Sequence, residues 1–180
     1  LRVFIAALLP EKLIAYLKEH QESLKPLWEG VRWEHHEKFH VTLKFLGNIE
    51  EDEASRVKTV MEDCIKGRRA FNATLKAIGG FPNLKSPRVI CYCLDSSPEL
   101  EGIFRCIEDG LSNLGFPREE RAFKPHITAG RVKTKARLHG SMPILEPREF
   151  KIRELAIMMS KLSSSGSIYT PISTYELPEI

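Results

Sequence analysis

No stretch of this chain is apolar enough to cross a bilayer as a helix: its longest unbroken apolar runs, Val3 to Leu9 and Leu155 to Met159, fall far short of the ~20 residues a span requires. Glycine and proline are sparse, 11 of each in 180 residues, which excludes collagen-like and low-complexity chains. Cysteine is scarcer still. The four present, Cys64, Cys91, Cys93 and Cys106, make no C-x-x-C pair and no framework spacing, so all four read as reduced thiols. Cys91-Tyr92-Cys93 lies in an apolar run and supplies only two of the four ligands a structural zinc takes, so core or half-buried packing is its reading. The opening Leu1-Arg-Val-Phe-Ile-Ala leads to no small-residue cleavage site, and no signal peptide is expected. A cytoplasmic protein without membrane contact follows.

What is present is the composition of one globular domain spanning residues 1–180: 42% of residues are hydrophobic and 28% charged. A domain of this size buries roughly two thirds of the surface of its extended chain, enough for a core without staples. The net charge is only +3, but it is unevenly spread. Arg118 to Arg137 carries seven basic residues against two acidic ones, a run that can steer a polyanion, although a solvated face is the commoner use of such a run.

Periodicity gives an interleaved pattern. Arg2 to Leu8 reads as a strand, and Leu13, Ile14 and Leu17 follow at helical spacing. Val31 to Trp33 and Phe39 to Leu46 read as strands, and Val57, Val60, Met61, Cys64 and Ile65 mark a helix from about Glu50 to Gly67. Phe71 to Ile78 and Arg88 to Leu94 form a strand pair around a Gly-Gly-Phe-Pro-Asn loop. Ser97-Pro98 signals a helix start, with Leu100, Ile103, Phe104, Ile107 and Leu111 on one face. Phe116 to Lys124 is a loop, Pro125 to Val132 a strand, Lys133 to Glu149 irregular, and Phe150 to Leu162 and Ile168 to Leu177 are two strands. Hairpin-like pairs exclude a purely parallel sheet, and the class is α+β in two lobes.

Two histidine patterns compete for the chemistry. His36-Glu37-Lys38-Phe39-His40 fits H-E-x-x-H, a zinc-peptidase pattern that needs both histidines on one helical face. Alternation after His40 favours a strand instead, with Phe39, Val41, Leu43 and Phe45 on one face, and a strand sets His36 and His40 ~13 Å apart, too far to share a metal. The strand reading exposes a different pair, His40-Val-Thr42 and His126-Ile-Thr128. Residues i and i+2 of a strand point the same way, so each segment presents an imidazole and a hydroxyl on one face. Chance alone supplies such a triplet about once per twenty-five histidines at this threonine content, so what gives the pair weight is one copy in each half of the chain.

His40-Val-Thr-Leu-Lys-Phe-Leu-Gly47 and Phe123-Lys-Pro-His-Ile-Thr-Ala-Gly-Arg131 together resemble the paired signatures of the two-histidine phosphoesterases, in particular the RNA 2',3'-cyclic phosphodiesterases once named 2'-5' RNA ligases. The opening Arg2-Val-Phe-Ile-Ala, Trp33, Gly79-Gly-Phe-Pro and the tail with Ser160, Leu162, Gly166 and Tyr169 resemble the same family in order. Ser167 stands where that family commonly has proline, and residues 133–149 match nothing in it. The resemblance implies a bilobal fold, two pseudo-symmetric lobes with antiparallel sheets flanking a central cleft, one H-x-T strand in each. It implies hydrolysis of a terminal RNA 2',3'-cyclic phosphate to a 2'-phosphate, with no metal and no cofactor. His40 would be the proton donor, His126 the proton acceptor, and Thr42 and Thr128 hydrogen-bond donors to phosphate. The physics agrees: displacement at phosphorus needs one proton removed and one delivered, and imidazole titrates near pH 6.5, where it can do either.

Arg131 matches the family's phosphate-contacting position. In an unbroken strand its parity opposes that of His126, unless Gly130 marks a bulge. Lys44 shares strand parity with His40 and Thr42 and is a candidate phosphate contact, with a solvent-facing lysine as the blander use. Trp33, Phe45, Leu46 and Phe123 could stack bases or fill a core. The expected partners are RNA ends bearing a 2',3'-cyclic phosphate, or small nucleotides, bound by a monomer. The rival readings are a non-catalytic RNA- or nucleotide-binding module with the same cleft, and the zinc peptidase.

Overall fold

The computed structural model describes residues 1–180. Nine strands and three helices follow one another in the order β1 (Arg2–Ala7), α1 (Glu11–Leu24), β2 (Trp28–Trp33), β3 (Val41–Asn48), α2 (Glu51–Ile65), β4 (Phe71–Phe81), β5 (Val89–Leu94), α3 (Pro98–Asn113), β6 (His126–Leu138), β7 (Arg148–Ile152), β8 (Glu154–Ser163) and β9 (Gly166–Glu176). All strand pairs are antiparallel, and they run β7-β4-β5-β6-β3-β1-β8-β9, with β2 added on β6. The two expected lobes are therefore halves of one curled sheet rather than separate sheets. Each half has four strands, β3-β1-β8-β9 and β6-β5-β4-β7, and each is led by its H-x-T strand. The halves are joined through one residue pair, Val41 opposite Ile127.

Local signals place the helices. Ser97 Oγ accepts a hydrogen bond from the Leu100 amide at 3.1 Å and Pro98 occupies the first turn of α3, satisfying an amide that a helix start leaves orphaned. At the head of α2 the Glu50 amide donates to Glu53 Oε2 at 2.9 Å, the reciprocal half of a capping box. Helix α1 covers one half of the sheet: the Tyr92 hydroxyl of β5 donates to the Leu17 carbonyl, and Gln21 Nε2 donates to the carbonyls of Glu34 and Ala129. Helices α2 and α3 pack together over the other half. They approach so closely at Gly110 that a Cβ there would stand 2.5 Å from Val60 Cγ1. The apolar cluster on this side includes Ile5, Leu17, Val41, Val57, Ile103, Ile107 and Ile127.

Several sequence expectations change. The cysteines are not four free thiols: Cys64 and Cys106 form a disulfide between α2 and α3, with Cα atoms 5.6 Å apart, leaving Cys91 and Cys93 free. Their 42-residue separation hides a contact that only helix packing creates, and the cysteine argument for a reducing compartment goes with it. His36 to Lys38 is a short 3-10 turn rather than strand, because the chain bends before entering β3. The stretch read as irregular holds the far half of β6, which continues to Leu138 by pairing with β2, and the start of β7. The strand expected from Phe150 to Leu162 is two, broken at Arg153.

Candidate active site

The side of the sheet turned away from the helices carries both H-x-T motifs. Val41 and Ile127 are fully buried toward the helices, so His40, Thr42, His126 and Thr128 point the other way. Because β3 and β6 are antiparallel about the Val41–Ile127 pair, His40 lies across from Thr128, and Thr42 across from His126. The two imidazoles thus sit diagonally beside the one point where the halves of the sheet touch.

Each ring is held by the same device. His40 Nδ1 lies 2.6 Å from the Lys38 carbonyl and His126 Nδ1 lies 2.7 Å from the Lys124 carbonyl. A carbonyl only accepts, so both Nδ1 atoms carry hydrogen and each Nε2 is left to face the cleft. His40 Nε2 meets Thr42 Oγ1 at 2.8 Å, whereas His126 Nε2 has no protein partner. Desolvation by burial lowers the pKa of both rings below the ordinary imidazole value. The bond to the upstream carbonyl opposes the shift in each. Glu34 also favours the charged form of His40, while Arg131 disfavours the charged form of both. His40 and His126 each feel the other's charge or that of a shared neighbour, so they occupy one electrostatic site.

Aromatic rings form the walls. Phe4 lies 4.9 Å from His40 and 4.9 Å from Tyr169, Tyr169 lies 5.7 Å from His40, and Phe81 meets His126 edge-on at 4.8 Å. Phe4, Phe81 and Glu34 escaped the sequence reading as site residues. Their signal was available for Phe4, since Val3 and Ile5 take the helix side of β1 and leave Phe4 the cleft side.

Two matching irregularities decide what lies beyond the motifs. On β6, Ile90 pairs with Gly130 and Cys91 with Thr128, so Ala129 is an extra residue. The bulge reverses the parity that would have turned Arg131 away, as Gly130 suggested, and Arg131 Nε donates to Glu34 Oε1 at 3.3 Å. On β3, Ile5 pairs with Lys44 and Ala6 with Thr42, so Leu43 is extra. There the same shift overturns an expectation. Lys44 does not share the face of His40 and Thr42; it turns to the helix side, 2.6 Å from Glu108 Oε1 of α3, and donates to the Pro117 carbonyl at 2.7 Å. Phe45 takes the cleft side instead and is 68% exposed. Of the other aromatic candidates, Phe123 stacks on Phe104 of α3 at 4.3 Å, and Trp33 and Leu46 pack against the core.

Cys91 and Cys93 lie on the strand beside His126, with sulfurs 3.8 Å apart. The hydrogen bond between them lowers the Cys93 thiol to about 7 and raises Cys91. His35, His36 and Glu37 bring potential ligand atoms within 4.8 Å of one another at the surface, while His40 faces the cleft, so the H-E-x-x-H pair is not brought to one metal. No helix is long and apolar enough to cross a membrane.

Residues 8–91 match the LigT like Phosphoesterase family. The chain is 30% identical to the RNA 2',3'-cyclic phosphodiesterase of Methanothermobacter thermautotrophicus, covering 98% of each chain. It is 31% identical to that of Methanocaldococcus jannaschii, covering 97% of this chain and all of the relative. A crystal structure of a Thermus thermophilus protein superposes with a TM-score of 0.87 at 27% identity over 99% of both chains. Escherichia coli LigT complexed with 3'-AMP shares the fold, with a TM-score of 0.77 at 22% identity over 98% of this chain and 97% of that one.

Proposed function

The chain belongs to the LigT-like phosphoesterases, and we propose that it is an RNA 2',3'-cyclic phosphodiesterase that opens the terminal cyclic phosphate to a 2'-phosphomonoester by histidine acid–base catalysis without a metal. The observation that carries this reading is the matched pair of imidazoles, each fixed through Nδ1 to a carbonyl with Nε2 toward the cleft, one on either side of the place where the sheet halves meet. Water enters opposite the 3' oxygen. His126, whose Nε2 lone pair is unoccupied and whose charged form is disfavoured, accepts the water proton as the O–P bond forms. His40 delivers a proton to the departing 3' oxygen, so the P–O3' bond breaks with its electron pair neutralised.

Glu34 supports the donor role of His40, since its carboxylate favours the imidazolium that an incoming phosphate anion favours further. Thr42 and Thr128 donate hydrogen bonds to the non-bridging oxygens, where charge gathers in the transition state, and Arg131 adds a positive charge beside them. Exposed Phe45 offers a ring on which a terminal base can stack. With a 5'-hydroxyl in place of water, the same groups open the cyclic phosphate to a 2'-5' linkage, His126 accepting the hydroxyl proton and His40 protonating the departing 3' oxygen, a ligation expected in vitro. We take residues 1–180 as one catalytic domain acting as a monomer in the cytoplasm. The test is to incubate metal-stripped protein with an oligonucleotide ending in a 2',3'-cyclic phosphate. A 2'-phosphate product that forms equally well with a chelator present supports the reading. A 3'-phosphate product, chelator-sensitive turnover, or nucleotide binding without turnover overturns it, the last in favour of a binding module.

A further inference from the structure

We propose that Cys91 and Cys93 form an inhibitory site for a thiophilic divalent cation of the zinc and cadmium class, with His126 of the neighbouring strand drawn in as third protein ligand. On β5 the Tyr92 side chain faces α1, where its hydroxyl meets Leu17 and His20. Its neighbours Cys91 and Cys93 therefore face the cleft side. Register carries them to the catalytic motif: Cys91 lies opposite Thr128 and Cys93 opposite His126.

The sulfurs stand 3.8 Å apart. Two thiolates bound to one tetrahedral zinc at about 2.3 Å each are separated by about 3.8 Å, so the pair already has the spacing of a chelate edge. Room for it comes from β4, where Gly79 pairs with Cys91. A Cβ on Gly79 would stand 2.5 Å from Cys93 Sγ. A disulfide is the competing fate of two close thiols, but residues i and i+2 of a strand have Cα atoms ~6.6 Å apart, at the outer edge of what a disulfide spans. The pair persists as thiols.

The third ligand was invisible to a reading of C-x-C alone because it belongs to another strand. Directly opposed residues on antiparallel strands have Cβ atoms about 4.5–5.5 Å apart, so rotation of the His126 side chain brings an imidazole nitrogen to an ion held beside Cys93, at the cost of its bond to the Lys124 carbonyl. Two cysteines, one histidine and a water complete a four-coordinate site. An imidazole held by a cation no longer accepts a proton from water, so occupancy stops turnover. This inhibitory arm rests on the proposed function, whereas the binding arm does not.

The experiment titrates the full chain with cadmium under argon, without a reductant that would open the Cys64–Cys106 disulfide, following bound metal by equilibrium dialysis, the thiolate-to-cadmium ultraviolet band, and hydrolysis of a cyclic-phosphate oligonucleotide. One cadmium per chain is expected, with the band, and turnover falls at least ~10-fold and returns on adding a chelator. Cys91→Ser and Cys93→Ser each abolish the band and the inhibition while keeping chelator-treated turnover; Cys93→Ala repeats the test if a serine variant fails to fold. His36→Ala, which dismantles the surface cluster of His35, His36 and Glu37, changes nothing. Cadmium bound without the band, binding that survives both serine variants or is lost in His36→Ala, or undiminished turnover at full occupancy overturns the proposal. Wild type that binds cadmium with the thiolate band but hydrolyses no cyclic phosphate overturns the inhibitory arm together with the proposed function, and leaves the cation site standing.

Discussion

Replacing Lys44 by methionine separates its two possible uses, substrate contact and internal ion pair. Lys44 and Glu108 are only 9% and 6% exposed, with Nζ and Oε1 2.6 Å apart. Removing the ammonium leaves the Glu108 carboxylate buried without its partner, and breaking a buried pair in this way costs about 3–5 kcal/mol. At about 2.1 cal/mol/K of unfolding entropy per residue, a chain of this length loses roughly 8–13 °C of Tm for such a change. Calorimetry or thermal unfolding by circular dichroism reads that loss directly. A second variant, Lys44→Met with Glu108→Gln, removes both charges while keeping an acceptor for the Glu119 amide, which donates to Glu108 Oε2 at 2.8 Å. It is expected to regain most of the lost Tm. The kcat/KM of both variants on a cyclic-phosphate oligonucleotide should stay within about twofold of wild type at a temperature well below their Tm, because no substrate interaction is removed. A Lys44→Met protein with an unchanged Tm and a tenfold higher KM would refute the burial argument and restore Lys44 to the phosphate site.

His40→Ala and His126→Ala are each expected to lower kcat by ~10³-fold or more, and Thr42→Val or Thr128→Val by ~10²-fold, in single-turnover assays; a threonine variant hurt more than a histidine variant would contradict the assigned roles. Burial lowers the pKa of His126, so the acid limb of kcat/KM lies below the ordinary imidazole value of about 6.5, and the pH–rate profile of His126→Ala loses that limb. Desolvation lowers His20, His40 and His126 alike. The unfolded chain therefore binds protons that the folded chain refuses, and the contribution of these histidines to stability is constant above ~pH 7 and is lost as pH drops below about 6.5. Urea midpoints at ~pH 7.0 and ~pH 5.5 of a Cys91→Ser/Cys93→Ser background, which removes the thiol pair, measure the histidine contribution, and His20→Gln should shrink it. Opening the Cys64–Cys106 disulfide, which closes a 42-residue separation, should cost about 4 kcal/mol in the chain-entropy estimate, seen as a lower Tm for Cys64→Ser/Cys106→Ser with unchanged turnover.

Repeating local patterns were readable in the sequence because their cause is local. Helical spacing marked α1, α2 and α3, the Ser97-Pro98 start of α3 was explicit, and alternation around His40 and His126 put an imidazole and a hydroxyl on one face of each strand. What escaped depends on distant partners. The Cys64–Cys106 disulfide requires α2 to lie on α3, and β6 runs on to Leu138 only because β2 pairs with it. Nothing in either segment alone carries that information.

The bulges show how the two kinds of information combine. Leu43 and Ala129 are skipped at equivalent places in their ladders, so the fourth and fifth residues after each histidine exchange faces relative to an unbroken strand. At Gly130 a residue without a side chain hinted at the irregularity, and the bulge removes the parity objection to Arg131. At Lys44 no glycine gave warning, and parity failed. The same shift thus delivers a guanidinium to the cleft in one half and the Phe45 ring in the other. That difference matters to the chemistry proposed here, because two imidazoles in identical surroundings would titrate alike and neither would be set as acid or base. Arg131 and its partner Glu34 break the equivalence: both rings feel the guanidinium, but only His40 is favoured by the carboxylate. Two halves of one sheet each supply a histidine held in the same way, and a carboxylate beside the end of β2 favours the imidazolium of only one of them, which is the basis of the donor role proposed for His40.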